Sequence, residues 1–194
     1  MLLHQKLKHI KVILGSKSPR RQALLKDLGI NFTIMQLDVD EIFPEVLKRE
    51  TIPLYLSKLK ASAGQSQLSE NELLITADTI VWANNSALNK PADQQEAKNM
   101  LNKLSGKTHE VITAVSLVKQ HKIHSFYSVT EVTFKSLSEE EIDYYISEYK
   151  PFDKAGAYGI QEWIGYVGVE TINGSYFNVV GLPVNDLYKE LLAF

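Results

Sequence analysis

The chain contains no cysteine, which excludes disulfides, thiolate metal sites and cysteine nucleophiles. It also lacks a basic excess. With 21 Lys and Arg against 23 Asp and Glu, its formal net charge is -2, and the pI is near 6.2. A general nucleic-acid binder normally carries a surplus of positive charge, so neither nucleic acid nor an anionic membrane surface is expected as a partner. No apolar run approaches the roughly 18 residues needed to cross a bilayer. The stretch Met1–Ile10 has no long apolar core of the kind a signal peptide needs, so a cytoplasmic location is expected. What remains is ordinary globular material, 44% hydrophobic and 23% charged, in 194 residues. That length suits one domain over 1–194, or two small lobes sharing a core.

Strand and helix patterns alternate. Lys11–Gly15 reads as a buried strand, followed by a helix with Ser18 as N-cap and Pro19 at its first position, stopped by Gly29. Asn31–Gln36 reads as a second strand, and Asp38–Glu45 as an acidic loop. The period over Thr51–Gln67 predicts a helix with Leu54, Leu56, Leu59 and Ala63 as its apolar residues. Leu73–Ala83 is the strongest buried strand. Asp93 with Glu96, and Ser138 with Glu141, form capping-box patterns for two more helices. His109–Val118 and Ile123–Phe134 alternate as a hairpin around Gln120–His121. The last third reads as Gly-rich and strand-like, with Gly174–Pro183 as a turn, a buried strand and the start of a final helix to Leu192. The expected class is α/β, with a mixed sheet because the hairpin is antiparallel.

Four segments carry chemistry. In Gly15–Arg21 (GSKSPRR) a strand enters a small-residue turn and a helix N-terminus, where backbone N–H groups and the dipole favour an anion. Arg20 and Arg21 oppose that dipole unless an anion neutralises them. A phosphate would do so, with Ser16 and Ser18 adding hydroxyls. The same residues also read as a solvated basic helix start. In Ile75–Val81 (ITADTIV), Asp78 interrupts an apolar strand, a costly place for a carboxylate unless it is paired, holds a metal or caps a turn. Glu41 is a second carboxylate in the acidic loop. Lys60 and Lys90 lie beside polar turns and, taken alone, read as surface lysines. In Asp153–Gln161 (DKAGAYGIQ), small residues permit close backbone approach to a ligand, and Gln161 offers an amide able to read a base edge. The histidines show no zinc spacing, and no G-x-S-x-G is present.

In this order, SKSPRRQALLKDLG (16–29), ADTIV (77–81), NKPADQQEAKNML (89–101), LSGKTHEVITAV (104–115), DKAGAYGIQ (153–161) and INGSYFNVVGLP (172–183) resemble the Maf family of nucleotide pyrophosphatases. The resemblance implies an elongated, twisted mixed sheet flanked by helices. It also implies two lobes around a central cleft, as in the inosine-triphosphate pyrophosphatase superfamily. It implies cleavage between the α- and β-phosphates of a nucleoside triphosphate, aided by a divalent cation (Mg²⁺, with Mn²⁺ or Co²⁺ as alternatives), and a homodimer. By position, Ser16, Arg20, Arg21 and Lys60 would bind phosphate. Asp78 and Glu41 would hold metal or activate water, and Lys90 and Gln161 would complete the catalytic set.

The G-A-Y-G-I-Q run resembles the branch acting on dTTP and UTP, with modified pyrimidine nucleotides as further candidates. A second branch, acting on methylated GTP, has Ser-Glu-Gly near that place. The chain departs from the pattern at Asn84–Asn89, where a glycine-containing turn is usual, and at Glu162 and Trp163, where glycines are usual. The family's link to septum formation supplies the alternative of a non-catalytic, nucleotide-sensing regulator of division.

Overall fold

The computed structural model describes residues 2–194, so Met1, the first residue of the expected 1–194 domain, lies outside the described residues. The sheet is mixed, as expected. Its strands are β1 (Lys11–Leu14), β2 (Phe32–Ile34), β3 (Glu72–Ala83), β4 (Ser86–Leu88), β5 (Thr108–Lys119), β6 (Lys122–Phe134) and β7 (Val169–Asn173). The order is β2-β1-β3-β5-β6-β7, with β4 paired to β3. β1 pairs with β2 and β3 in parallel, while β3–β4 and β6–β7 are antiparallel. Only Gln120 and His121 separate β5 from β6, a connection too short for anything but an antiparallel hairpin.

The helices are α1 (Leu3–Lys6), α2 (Pro19–Asp27), α3 (Thr51–Gln65), α4 (Gln94–Leu104), α5 (Glu139–Tyr149), α6 (Trp163–Gly168), α7 (Tyr176–Val180) and α8 (Val184–Ala193). Local signals fix several of their starts. Ser18 caps α2 with Pro19 at its first turn, and Gly29 follows in the left-handed region at φ +76. Ser138 and Glu141 make both reciprocal bonds of a capping box. Asp93 caps α4 through Glu96 N at 2.8 Å, but Glu96 reaches back to Ala92 N rather than to the cap itself.

Two expectations are corrected. The inner face of α3 is Ile52, Leu56, Ser57, Ala61 and Gly64, not a stripe ending on Ala63, which is exposed. Small residues are needed there because the helix lies close to β3: a Cβ added at Gly64 would sit 2.6 Å from Leu74 Cδ2. The expected buried strand within Gly174–Pro183 is instead the short helix α7. Ser175 opens it, and Asn178, fully buried, donates through Nδ2 to Val111 O at 3.0 Å and Thr130 Oγ1 at 2.9 Å. These long-range bonds pin the segment where its apolar composition alone suggests a strand.

The chain divides into two compact units, each described by itself. The first comprises residues up to Asp78, Thr113–Ser128 and Gly181–Phe194. Its core includes Ile13, Ala61, Leu74 and Val118. The second comprises Thr79–Ile112 and Val129–Val180, with a larger core built on Leu101, Leu104, Phe134, Ile142, Tyr145 and Ile164. β3, β5 and β6 contribute residues to both, and Asp78 is the last β3 residue of the first unit. Among the described residues no helix is long and apolar enough to cross a membrane.

Within the second unit, His109 is buried between the edges of Phe134 and Tyr158, and its Nε2 shares a 2.8 Å hydrogen bond with the Tyr158 hydroxyl. Burial pulls its pKa from 6.5 to about 4. Between those values the unfolded chain binds the proton and the folded chain does not. The stability contributed by a neutral ring is therefore complete above about pH 6.5 and is lost as pH falls toward 4. The total is about 3 kcal/mol. Denaturant titration at pH 7 and pH 4.5 should show the parent losing more stability across that interval than His109→Phe. Equal losses would dismiss His109 as the source.

Candidate active site

β1 ends at Leu14 and the chain turns through Gly15, where an added Cβ would meet Leu37 Cδ1 at 2.7 Å and Thr76 Cγ2 at 2.9 Å. That tight turn aims Ser16 and the start of α2 into one cluster of the first unit. Ser16 Oγ accepts from Ser18 N at 3.3 Å and from Arg21 Nη1 at 3.3 Å. Arg21 Nε donates to Gly181 O at 2.8 Å. The guanidinium is thus held on two sides, by Ser16 from the β1–α2 turn and by a backbone carbonyl 160 positions along the chain.

α3 brings Lys60 to the same place. Its ammonium donates to Asp78 Oδ1 at 2.6 Å and lies 2.8 Å from Glu41 Oε1. A second contact between these elements sets the spacing: Thr76 Oγ1, two residues before Asp78 on the same face of β3, donates to Ser57 O at 2.7 Å. Lys60 lies one turn after Ser57, and a helical side chain directed toward the helix N-terminus reaches past Thr76 to Asp78.

Asp78 is 7% exposed. Burial raises its pKa above the ordinary carboxylate value; Lys60 and Arg21 oppose that, and Glu41 adds to it. Arg21 is lowered from its ordinary value, chiefly by burial and further by Arg20, while Asp78 and Glu41 push the other way. Arg20, Arg21, Asp78, Glu41 and Lys60 therefore interact as one electrostatic group.

Of the residues singled out from sequence, the structure gathers Ser16, Arg20, Arg21, Glu41, Lys60 and Asp78. Lys60, expected on phosphate, is held between the two carboxylates. Lys90 and Gln161 belong to the second unit. Lys90 is exposed beyond β4, and Gln161 is half-buried after the 3₁₀ turn Ala155–Ala157. The Oε1 atom of Gln161 is buried and has no hydrogen-bond partner among the described residues. Sequence reasoning passed over Gly181, because a carbonyl that receives Arg21 carries no side-chain signal.

Among the described residues no group of three or more His, Asp and Glu is gathered as a metal cage. Asp78 and Glu41 still supply two hard carboxylates, both of them on the Lys60 ammonium. That is the usual protein share for Mg²⁺, whose other positions go to water and substrate phosphate.

A Maf-like protein family model matches residues 11–194. The chain belongs to the Maf family. Relatives named dTTP/UTP pyrophosphatase match over nearly their whole length. That of Phocaeicola vulgatus is 55% identical over 188 residues, covering 96% of this chain and 97% of the relative. That of Bacteroides fragilis is 53% identical over 186 residues, covering 95% and 96%. That of Flavobacterium psychrophilum is 51% identical over 191 residues, covering 98% of each. This Maf protein brings Arg21 onto Ser16, and Asp78 and Glu41 onto Lys60.

Proposed function

We propose that this Maf protein hydrolyses dTTP and UTP between the α- and β-phosphates, giving the monophosphate and pyrophosphate. The names of relatives at 51–55% identity support the reaction class. The observation in this chain that carries it is the buried carboxylate Asp78, held by Lys60 beside two arginines. A purely structural aspartate would not need so many cations.

Asp78 orients a water on the α-phosphorus and accepts its proton. A new P–O bond forms as the bond to the bridging oxygen breaks, and pyrophosphate leaves. Ser16, Arg20 and Arg21 hold the phosphates, Lys60 favours the ionised form of Asp78 and adds positive charge, and Lys90 offsets charge on the departing pyrophosphate. Asp78 and Glu41 would hold a divalent cation, which supplies Lewis-acid stabilisation of phosphate charge when bound. Gln161 reads the base. Its buried Oε1 is an acceptor, matching the N3–H that uracil and thymine present. Cytosine presents a lone pair at N3, which would leave the acceptor facing an acceptor. With the family we also propose a cytoplasmic homodimer, which light scattering and cell fractionation test.

Purified protein with Mg²⁺ should release pyrophosphate, not orthophosphate, from UTP and dTTP far faster than from CTP, and chelator should abolish release. No pyrophosphate from any nucleotide, by protein shown to be folded, would end this reading.

A further inference from the structure

Gln161 reads a base only if its amide is held still, and the residue after it does not resemble a loop residue in its surroundings. Glu162 has a side chain 19% exposed and is locked on both oxygens: Oε1 lies 3.1 Å from Lys154 Nζ, and Oε2 accepts from the Tyr145 hydroxyl. The Tyr145 oxygen in turn accepts from Gly159 N at 3.0 Å. Lys154, 8% exposed, also donates to Asp153 Oδ1 at 2.7 Å. The Glu162 backbone closes the turn, with its N–H donating to Gly159 O at 2.9 Å and its carbonyl receiving Gly165 N at 2.9 Å.

The packing is equally close. A Cβ placed on Gly159 would lie 2.9 Å from Glu162 Cδ and 3.0 Å from Gln161 Nε2, so the two side chains share the space that Gly159 leaves open. Tyr145 itself comes from the interior of α5 and is fully buried. A rigid helix residue therefore fixes both ends of the Gly159–Glu162 turn, and the one member of that turn with an unsatisfied buried acceptor is Gln161. Burying a carboxylate, an ammonium and a phenol together is costly unless every group is satisfied. Here each is satisfied by another. The orphan acceptor beside them stands out as the atom the turn is built to present.

We propose that Glu162, clamped by Tyr145 and Lys154, is a positioning residue that sets base selectivity by fixing the Gln161 amide. This rests on the reading of Gln161 given above. A loosened turn lets the amide rotate and offer its N–H₂ instead of its carbonyl oxygen. An N–H₂ donor suits the cytosine N3 lone pair, so selectivity should collapse before catalysis does.

The test is the ratio of kcat/KM for UTP to that for CTP, read from pyrophosphate release with Mg²⁺, in four variants. Glu162→Ala and the near-isosteric Tyr145→Phe cut the same contact from opposite sides. Each should lower the ratio about tenfold, mostly through better use of CTP, and the double variant should fall no further than either single one. Gln161→Ala should lower it at least as much. A structural role alone would lower the melting temperature and leave the ratio unchanged. A ratio held within about twofold in both Glu162→Ala and Tyr145→Phe, while Gln161→Ala lowers it, overturns the clamp and leaves the base reading standing. An unchanged ratio in Gln161→Ala overturns both.

Discussion

Replacing Asp78 with asparagine is expected to lower turnover of UTP by about 10³-fold without lowering the melting temperature. The first half follows from the role proposed for it: a carboxylate can take the water's proton, and an amide of the same shape cannot. The second half follows from its electrostatics. Desolvation is the largest influence on Asp78 and it outweighs the help of Lys60 and Arg21, since the net shift is upward. The ionised group is therefore worse off folded than unfolded. As pH rises from the ordinary carboxylate range to the raised folded value, the unfolded chain has lost this proton while the folded chain keeps it, so stability falls with pH across that window. Asparagine has no proton to lose and escapes the penalty. Lys60 keeps Glu41 at 2.8 Å, so no buried ammonium is stranded. Melting curves taken in chelator, beside turnover with Mg²⁺, check both halves. A variant with full turnover, or one that no longer folds, would contradict this account.

The parts of this molecule that could be read from its sequence are those decided within a few residues. Ser18 before Pro19, Ser138 three before Glu141, and Gly29 after α2 are local contracts between a side chain and the backbone beside it. β3 was legible because a strand covered on both faces must be apolar almost throughout, and Asp78 was conspicuous in it for the same reason. Distance in sequence hid the rest. Nothing near Lys60 says that it bridges Asp78, 18 positions away, and Glu41. Tyr176–Val180 has the composition of a strand, and only the bonds of Asn178 to Val111 and Thr130, 67 and 48 positions away, make it a helix. Glu162 was visible only as a departure from the family's glycine. Its partners Tyr145 and Lys154 gave no sign of being joined to it.

Removing the other half of the buried pair should have the opposite effect on stability. In Lys60→Met, the buried Asp78 carboxylate loses its nearest counterion, Glu41 still opposes its charge, and Arg21 is left as the principal cation beside it. Breaking a buried ion pair from one side costs about 3–5 kcal/mol. For a chain of this length that lowers the melting point by roughly 10 °C. Turnover should fall about 10²-fold as well, because a carboxylate that takes a proton to relieve its own desolvation is no longer a base, and one cation is lost from the phosphates. The double variant Lys60→Met with Asp78→Asn separates the two contributions. If the cost in Lys60→Met is the stranded carboxylate, neutralising that carboxylate should restore most of the lost stability, while turnover stays at the level of Asp78→Asn alone. If the cost is instead lost packing of the lysine stem, which methionine largely replaces, the single variant should be nearly as stable as the parent and the second substitution should change nothing. Thermal melts of the parent, the two single variants and the double variant therefore decide whether Lys60 is held in this cluster by the charge of Asp78 or by the room around it.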